Sequence, residues 1–130
     1  MEVTADSRRL LLIDDSEIAL EYAESVLTDA GFEVRAVSSL EAFQEVLASW
    51  KPHMIITDLN MPEMSGVELC KYLRREIATA RIPIVLCSST PDEELAGVAR
   101  TVGADAYLSK HAGLDALPKR LNELFDEILW

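Results

Sequence analysis

Cysteine is scarce in this chain: Cys70 and Cys87 are the only two, and their spacing suits neither a zinc site nor a redox pair. Two lone thiols fit a reducing compartment and packed side chains. Long apolar runs are missing as well. No stretch approaches the roughly 20 residues of a membrane span, and Met1-Glu2-Val3-Thr4-Ala5-Asp6-Ser7-Arg8-Arg9 has no apolar core of signal-peptide length. A cytoplasmic protein is expected. Positive charge is also in short supply, with 12 Lys and Arg against 23 Asp and Glu and a formal net charge of −11. Nucleic acids and anionic membranes need cations to neutralise phosphate, so this balance argues against binding either directly and permits cation binding and basic partners. No internal repeat or low-complexity linker divides the chain, and 130 residues suffice for one domain with its own core.

What the chain does have is a repeated pattern of a short apolar run ending in a polar side chain. Met54, Ile55 and Ile56 read as a central strand that delivers Asp58 into a loop, where Asn60, Pro62, Ser65 and Gly66 stop it. Leu10 to Ile13 does the same for Asp14 and Asp15, and Ile84 to Cys87 for the hydroxyl cluster Ser88-Ser89-Thr90. Phe32, Val34 and Ala36 alternate with Glu33 and Arg35, as a strand nearer a sheet edge would, and Ala106 to Ser109 is a brief fifth strand followed by Lys110.

Helical periodicity fills the intervals. Ile18, Tyr22, Val26 and Ala30 recur at helical spacing between Ser16 and the closing Gly31. Ser38 with Glu41 has capping-box spacing ahead of the stripe Leu40, Phe43, Val46, Leu47 and Trp50. Ser65 with Glu68 has it again, before Leu69, Cys70, Leu73 and Ile77, and leaves Lys71, Arg74 and Arg75 as a solvated face. Thr90-Pro91-Asp92-Glu93 reads as an N-cap, a first-turn proline and an acidic first turn. The helix it starts contains Gly97, which costs about 1 kcal/mol relative to Ala, and Gly103 closes it. Pro118 suits the first turn of a last helix burying Leu117, Leu121, Leu124, Phe125 and Ile128, while Trp50 and Trp130 suit helix-end anchors. Five strands alternating with five helices through long connections predict a doubly wound parallel α/β sheet covered on both faces.

Such a sheet gathers its strand ends on one edge, and there Asp14, Asp15, Asp58, Ser88 and Lys110 would meet. Each alone has a bland reading as a helix-dipole acid, a loop cap or a solvated charge. Together they pose an electrostatic problem, since two carboxylates 4 Å apart repel by about 4 kcal/mol at an effective dielectric of 20. A hard divalent cation, Mg²⁺ first, would offset it, and Lys110 would neutralise part of the rest. A carboxylate, a metal and an ammonium in one crevice suit phosphoryl chemistry, with Asp58 as nucleophile forming an acyl phosphate.

In this order the residues resemble the receiver domain of two-component response regulators, of the chemotaxis-regulator type and flavodoxin-like fold. The similarity rests on Asp14-Asp15, on Asp58 with Asn60-Met61-Pro62 and Gly66, on Ile82-Pro83-Ile84-Val85-Leu86-Cys87-Ser88, and on Gly103-Ala104-Asp105-Ala106-Tyr107-Leu108-Ser109-Lys110. The resemblance implies strand order 2-1-3-4-5 and one receiver domain over residues 1–130. It implies that Asp58 takes a phosphoryl group from a histidine kinase or histidine phosphotransfer protein. Mg²⁺ would be held by Asp15, Asp58 and the backbone carbonyl of Asn60, with Asp14 acting through water. Ser88 and Lys110 would bind the phosphoryl oxygens, and Tyr107 would turn inward as Ser88 moves, altering the surface of the fourth helix, fifth strand and fifth helix for a downstream protein. Relatives tune dephosphorylation through side chains matching Asn60 and Thr90, and neither is a general base for water here.

One departure stands out. The family usually has Pro, joined by a cis bond, after the lysine; here His111 follows, for which cis would cost about 2.5 to 4 kcal/mol, so trans is expected. That substitution motivates a rival reading, a receiver-like interaction domain that is not phosphorylated. A flavin binder is disfavoured by Asp14 and Asp15, and a haloacid-type phosphatase by the lack of a second aspartate in Asp58-Leu59-Asn60. No output domain is expected after the fifth helix in this chain, so effects would pass through a partner unless the sequence is an excised receiver, with the chain a monomer or a phosphorylation-dependent dimer.

Overall fold

The computed structural model describes residues 8–128. Its elements are β1 (Arg9–Ile13), α1 (Glu17–Asp29), β2 (Glu33–Val37), α2 (Leu40–Ser49), β3 (Met54–Thr57), α3 (Gly66–Arg75), β4 (Ile84–Ser88), α4 (Asp92–Val102), β5 (Ala106–Ser109) and α5 (Leu117–Ile128). Two single 3₁₀ turns, Lys110–Ala112 and Leu114–Ala116, lead from β5 into α5. All strand pairs are parallel and the order is β2-β1-β3-β4-β5, the doubly wound sheet expected.

Alternation along the buried strands builds two cores. Leu10, Leu12, Met54, Ile56, Val85 and Cys87 face α1 and α5, where they meet Leu20, Leu27, Leu121 and Phe125. Leu11, Ile13, Ile55, Ile84 and Leu86 face α2, α3 and α4, against Phe43, Leu69, Leu73 and Leu95. Covered on both sides, β3 and β4 are buried along their whole length, which is why they read as unbroken apolar runs, whereas β2 at the edge alternates exposed with partly buried positions.

Several local expectations are corrected. In α1 the buried stripe is Leu20, Ala23 and Leu27, while Ile18 is 84% exposed and Tyr22 47% exposed. Both stripes have helical period; the one chosen buries two leucines and uses the small Ala23 for close approach, and leaves the Tyr22 hydroxyl free to donate to Asp115. The N-cap of α2 is Ser39, not Ser38: its hydroxyl accepts from Ala42 N at 3.2 Å, and Glu63 takes the Leu40 N–H at 2.9 Å. The capping box of Ser65 and Glu68 forms as expected. However, α3 ends at Arg75, because the buried Thr79 hydroxyl donates to Leu73 O at 2.7 Å and turns the chain away, leaving Ile77 97% exposed. Helix α4 begins one residue late, with Pro91 in the cap position and no side-chain cap, and closes on Gly103 in the left-handed conformation at φ 74°. The Ile128 side chain and Trp130 lie outside the described residues.

Arg74 is no solvated cation. Its guanidinium donates to Gly103 O at 2.9 Å, Ala80 O at 3.1 Å, Ile82 O at 2.8 Å and the Asp105 carboxylate at 2.8 Å, and the same Asp105 oxygen accepts the Ile84 N–H. One side chain thereby ties α3 to the carboxyl end of α4 and the start of β4. Losing charge-assisted bonds that leave carbonyls and Asp105 unpaired is predicted to cost about 2 to 3 kcal/mol in Arg74→Ala. Arg74→Lys should recover less than half, because an ammonium cannot span the fork; urea denaturation of the three proteins measures both.

Candidate functional site

Strands β1 and β3 are neighbours, with Ile13 opposite Thr57, so the residues that follow them emerge side by side at the carboxyl edge of the sheet. The Asp58 N–H continues the ladder to Ile13 O at 3.1 Å and the Asp14 N–H to Val37 O at 3.3 Å, which fixes both backbones before any side chain is considered. Each of Asp14, Asp15 and Asp58 offers a carboxylate oxygen within 4.8 Å of the others, with Asp14 and Asp58 buried and Asp15 exposed. Hard oxygen donors of matching charge at this spacing fit a divalent cation.

Lys110 reaches the cluster from the end of β5. Its ammonium lies 2.5 Å from Asp14 Oδ2 and 3.9 Å from Asp58 Oδ1. The other Asp14 oxygen accepts the Ser16 N–H at 2.9 Å, so Asp14 is the most fully engaged of the three acids. Burial pulls the Lys110 ammonium down, but the hydrogen bond and charge of Asp14, with the charge of Asp58, outweigh it and hold its pKa above the ordinary lysine value. Burial is the first cause of a raised Asp58 pKa and the Asp14 charge the second; Lys110 opposes both without cancelling them. Asp58 is therefore the acid under electrostatic stress.

Two residues not singled out for the site on sequence set the Asp58 backbone. The buried Thr57 hydroxyl donates to Asp58 O at 2.9 Å. Gly66 opens α3 directly against the same peptide: its N–H donates to Leu59 O at 2.7 Å, and a Cβ there would lie 2.3 Å from Asp58 O and 2.8 Å from Leu59 Cα. On sequence Gly66 reads as a loop terminator and as part of the motif behind Asp58. Its spacing from Asp58 was visible in the sequence, but the close approach was not.

The remaining predicted residues are placed less directly. Ser88 ends β4 opposite Ser109 and is fully buried; its Oγ lies 3.0 Å from Thr90 Oγ1 and accepts the Thr90 N–H at 3.2 Å. Its hydroxyl is thus occupied with Thr90. Tyr107 is partly buried and packs on the core under α3 and α4. Asn60 is exposed in the loop after Asp58. His111 is exposed, and its N–H donates to Ser109 Oγ at 3.2 Å; no peptide bond among the described residues is cis, so the bond after Lys110 is trans as expected. Burial raises Cys87 to about 12 and Cys70 to about 11, so both are packed thiols rather than reactive ones.

Residues 10–122 match the family model of the response regulator receiver domain. The transcriptional regulatory protein GltR of Pseudomonas aeruginosa is 33% identical over 108 residues, which are 83% of this chain but 45% of that protein. This chain therefore spans less than half of that relative's length. Protein PilG of the same organism is 30% identical over 111 residues, covering 85% of this chain and 82% of its own. Among solved structures, the chemotaxis response regulator CheY4 of Vibrio cholerae superposes with a TM-score of 0.81 at 27% identity, covering 91% of this chain and 98% of that one. No described helix is long and apolar enough to cross a membrane.

Two predictions follow from this geometry. Because folding raises the Asp58 pKa, the folded state binds the proton more tightly than the unfolded chain. Stability is thus lost as pH rises from the ordinary aspartate range through the folded-state value. In divalent-free buffer, Asp58→Asn should melt above the wild type near neutral pH, by a margin that shrinks as the solution is acidified towards pH 4; melting curves across that range read the difference. Gly66→Ala should lower stability by about 1 to 3 kcal/mol, as overpacking against fixed backbone does. It should also shift the amide resonances of Asp58 and Leu59, which two-dimensional NMR would record.

Proposed function

The chain belongs to the response regulator receiver domain family, and on that premise we propose that Asp58 is the phosphoacceptor of a two-component or phosphorelay switch. Receiver domains are signalling modules rather than turnover enzymes, so the product that matters is the modified protein. In the transfer, the N–P bond of a phosphohistidine breaks and its electron pair returns to the imidazole nitrogen, while an Asp58 carboxylate oxygen forms the new P–O bond. The donor is a histidine kinase or a histidine phosphotransfer protein.

The observation that carries this reading is the approach of the Lys110 ammonium to both Asp14 and Asp58, at 2.5 and 3.9 Å, inside a triad of acids. Asp58 sits where an incoming phosphoryl group would have a cation beside it. Asp15, Asp58 and the Asn60 carbonyl would hold Mg²⁺, with Asp14 acting through water; bound, the metal would offset both the carboxylate repulsion and the charge on the phosphoryl oxygens. Lys110 would exchange part of its contact with Asp14 for a phosphoryl oxygen. Ser88 would donate its hydroxyl to another oxygen, and Tyr107 would move into the space released. The surface of α4, β5 and α5 would then present a different face to a downstream protein.

Mass spectrometry tests the assignment. Incubation with Mg²⁺ and acetyl phosphate should add the mass of one phosphoryl group to the wild type and none to Asp58→Ala; an unmodified wild type would leave the fold as an interaction surface without a trigger. After donor removal the adduct should persist for minutes, since neither Asn60 nor Thr90 is a base for water, and decay within seconds would reject that part of the reading.

A further inference from the structure

The start of α4 is built in two incompatible ways by sequence and by structure. Thr90 followed by Pro91 is an N-cap and first-turn pair: the residue before proline is held extended, as a cap must be, and proline at the first helical position loses nothing by lacking an N–H. Yet the Thr90 hydroxyl is bound to Ser88 Oγ at 3.0 Å, and α4 starts on Pro91 with no side-chain cap. Pro91 has φ −58°, already helical, and only its ψ of 150° keeps it out of the helix. Its first backbone bond is Leu95 N to Pro91 O at 2.9 Å, which leaves the N–H groups of Asp92, Glu93 and Glu94 without intrahelical partners.

We propose that Thr90 is a positioning residue that exchanges Ser88 for the helix. When Ser88 turns its hydroxyl to a phosphoryl group on Asp58, Thr90 is released, and one rotation at Pro91 lets it cap α4. Thr90 O then accepts from Glu94 N, and Oγ1 from Asp92 or Glu93 N. The helix gains a residue at the end nearest the site, where three first-turn acids favour its dipole. This rests on Asp58 as phosphoacceptor, and it gives the serine's movement a second output besides Tyr107.

The test uses the full 130-residue chain with Mg²⁺ and beryllium trifluoride as the phosphoryl probe. Binding is read by ¹⁹F NMR and the Asp92–Glu94 amides by hydrogen exchange. The probe should slow exchange of the Glu93 and Glu94 amides about fivefold in the wild type, the factor a Thr cap is worth. Thr90→Ser should retain the slowing, whereas Thr90→Ala should bind the probe and lose it. Equal slowing in Thr90→Ala, or none in a wild type that binds the probe, would overturn the exchange while leaving the phosphoacceptor standing. A wild type that does not bind the probe would overturn the phosphoacceptor, and the exchange with it.

Discussion

The structure depends on a charge conflict held in place by backbone. Asp14 and Asp58 follow neighbouring strands in register, so the parallel ladder itself brings their backbones together and their carboxylates lie within 4.8 Å. One ammonium, from the far edge of the sheet, moderates it without resolving it: Lys110 satisfies Asp14 and leaves Asp58 short of compensation. A site with one settled acid and one unsettled acid fits a divalent cation. The rest of the fold serves that imbalance. Two buried cores hold the strands, and Gly66 lets α3 press against the peptide that carries Asp58.

Much of this was readable from residue order. Apolar runs ending in Asp, Ser or Lys mark strands whose polar ends share an edge, and that rule brought together residues 96 positions apart, Asp14 and Lys110. Wherever two periodic stripes competed, it failed. In α1 the stripe through Ile18 and Tyr22 is as regular as the one through Leu20 and Leu27, and the sheet decides between them. The α2 cap was misplaced by one because Glu63, from a distant loop, competes for the first N–H. Arg74 looked like surface charge because its acceptors are main-chain carbonyls, which no side-chain pattern reveals.

The two ends of α4 are therefore held very differently. Gly103 and the Arg74 guanidinium pin the carboxyl end to α3 and β4, while the amino end has no side chain closing it. Any movement of α4 in the switch proposed above would be a tilt about that pinned end. At 1.5 Å per residue the 11 residues of α4 make a lever of about 16 Å, and a tilt of about 10° carries the free tip through about 3 Å. Displacement in such a tilt would be greatest beside Ser88 and would vanish at Gly103. A partner sensing this motion gains most by gripping the acidic tip, Asp92 to Glu94, and little by gripping the pivot.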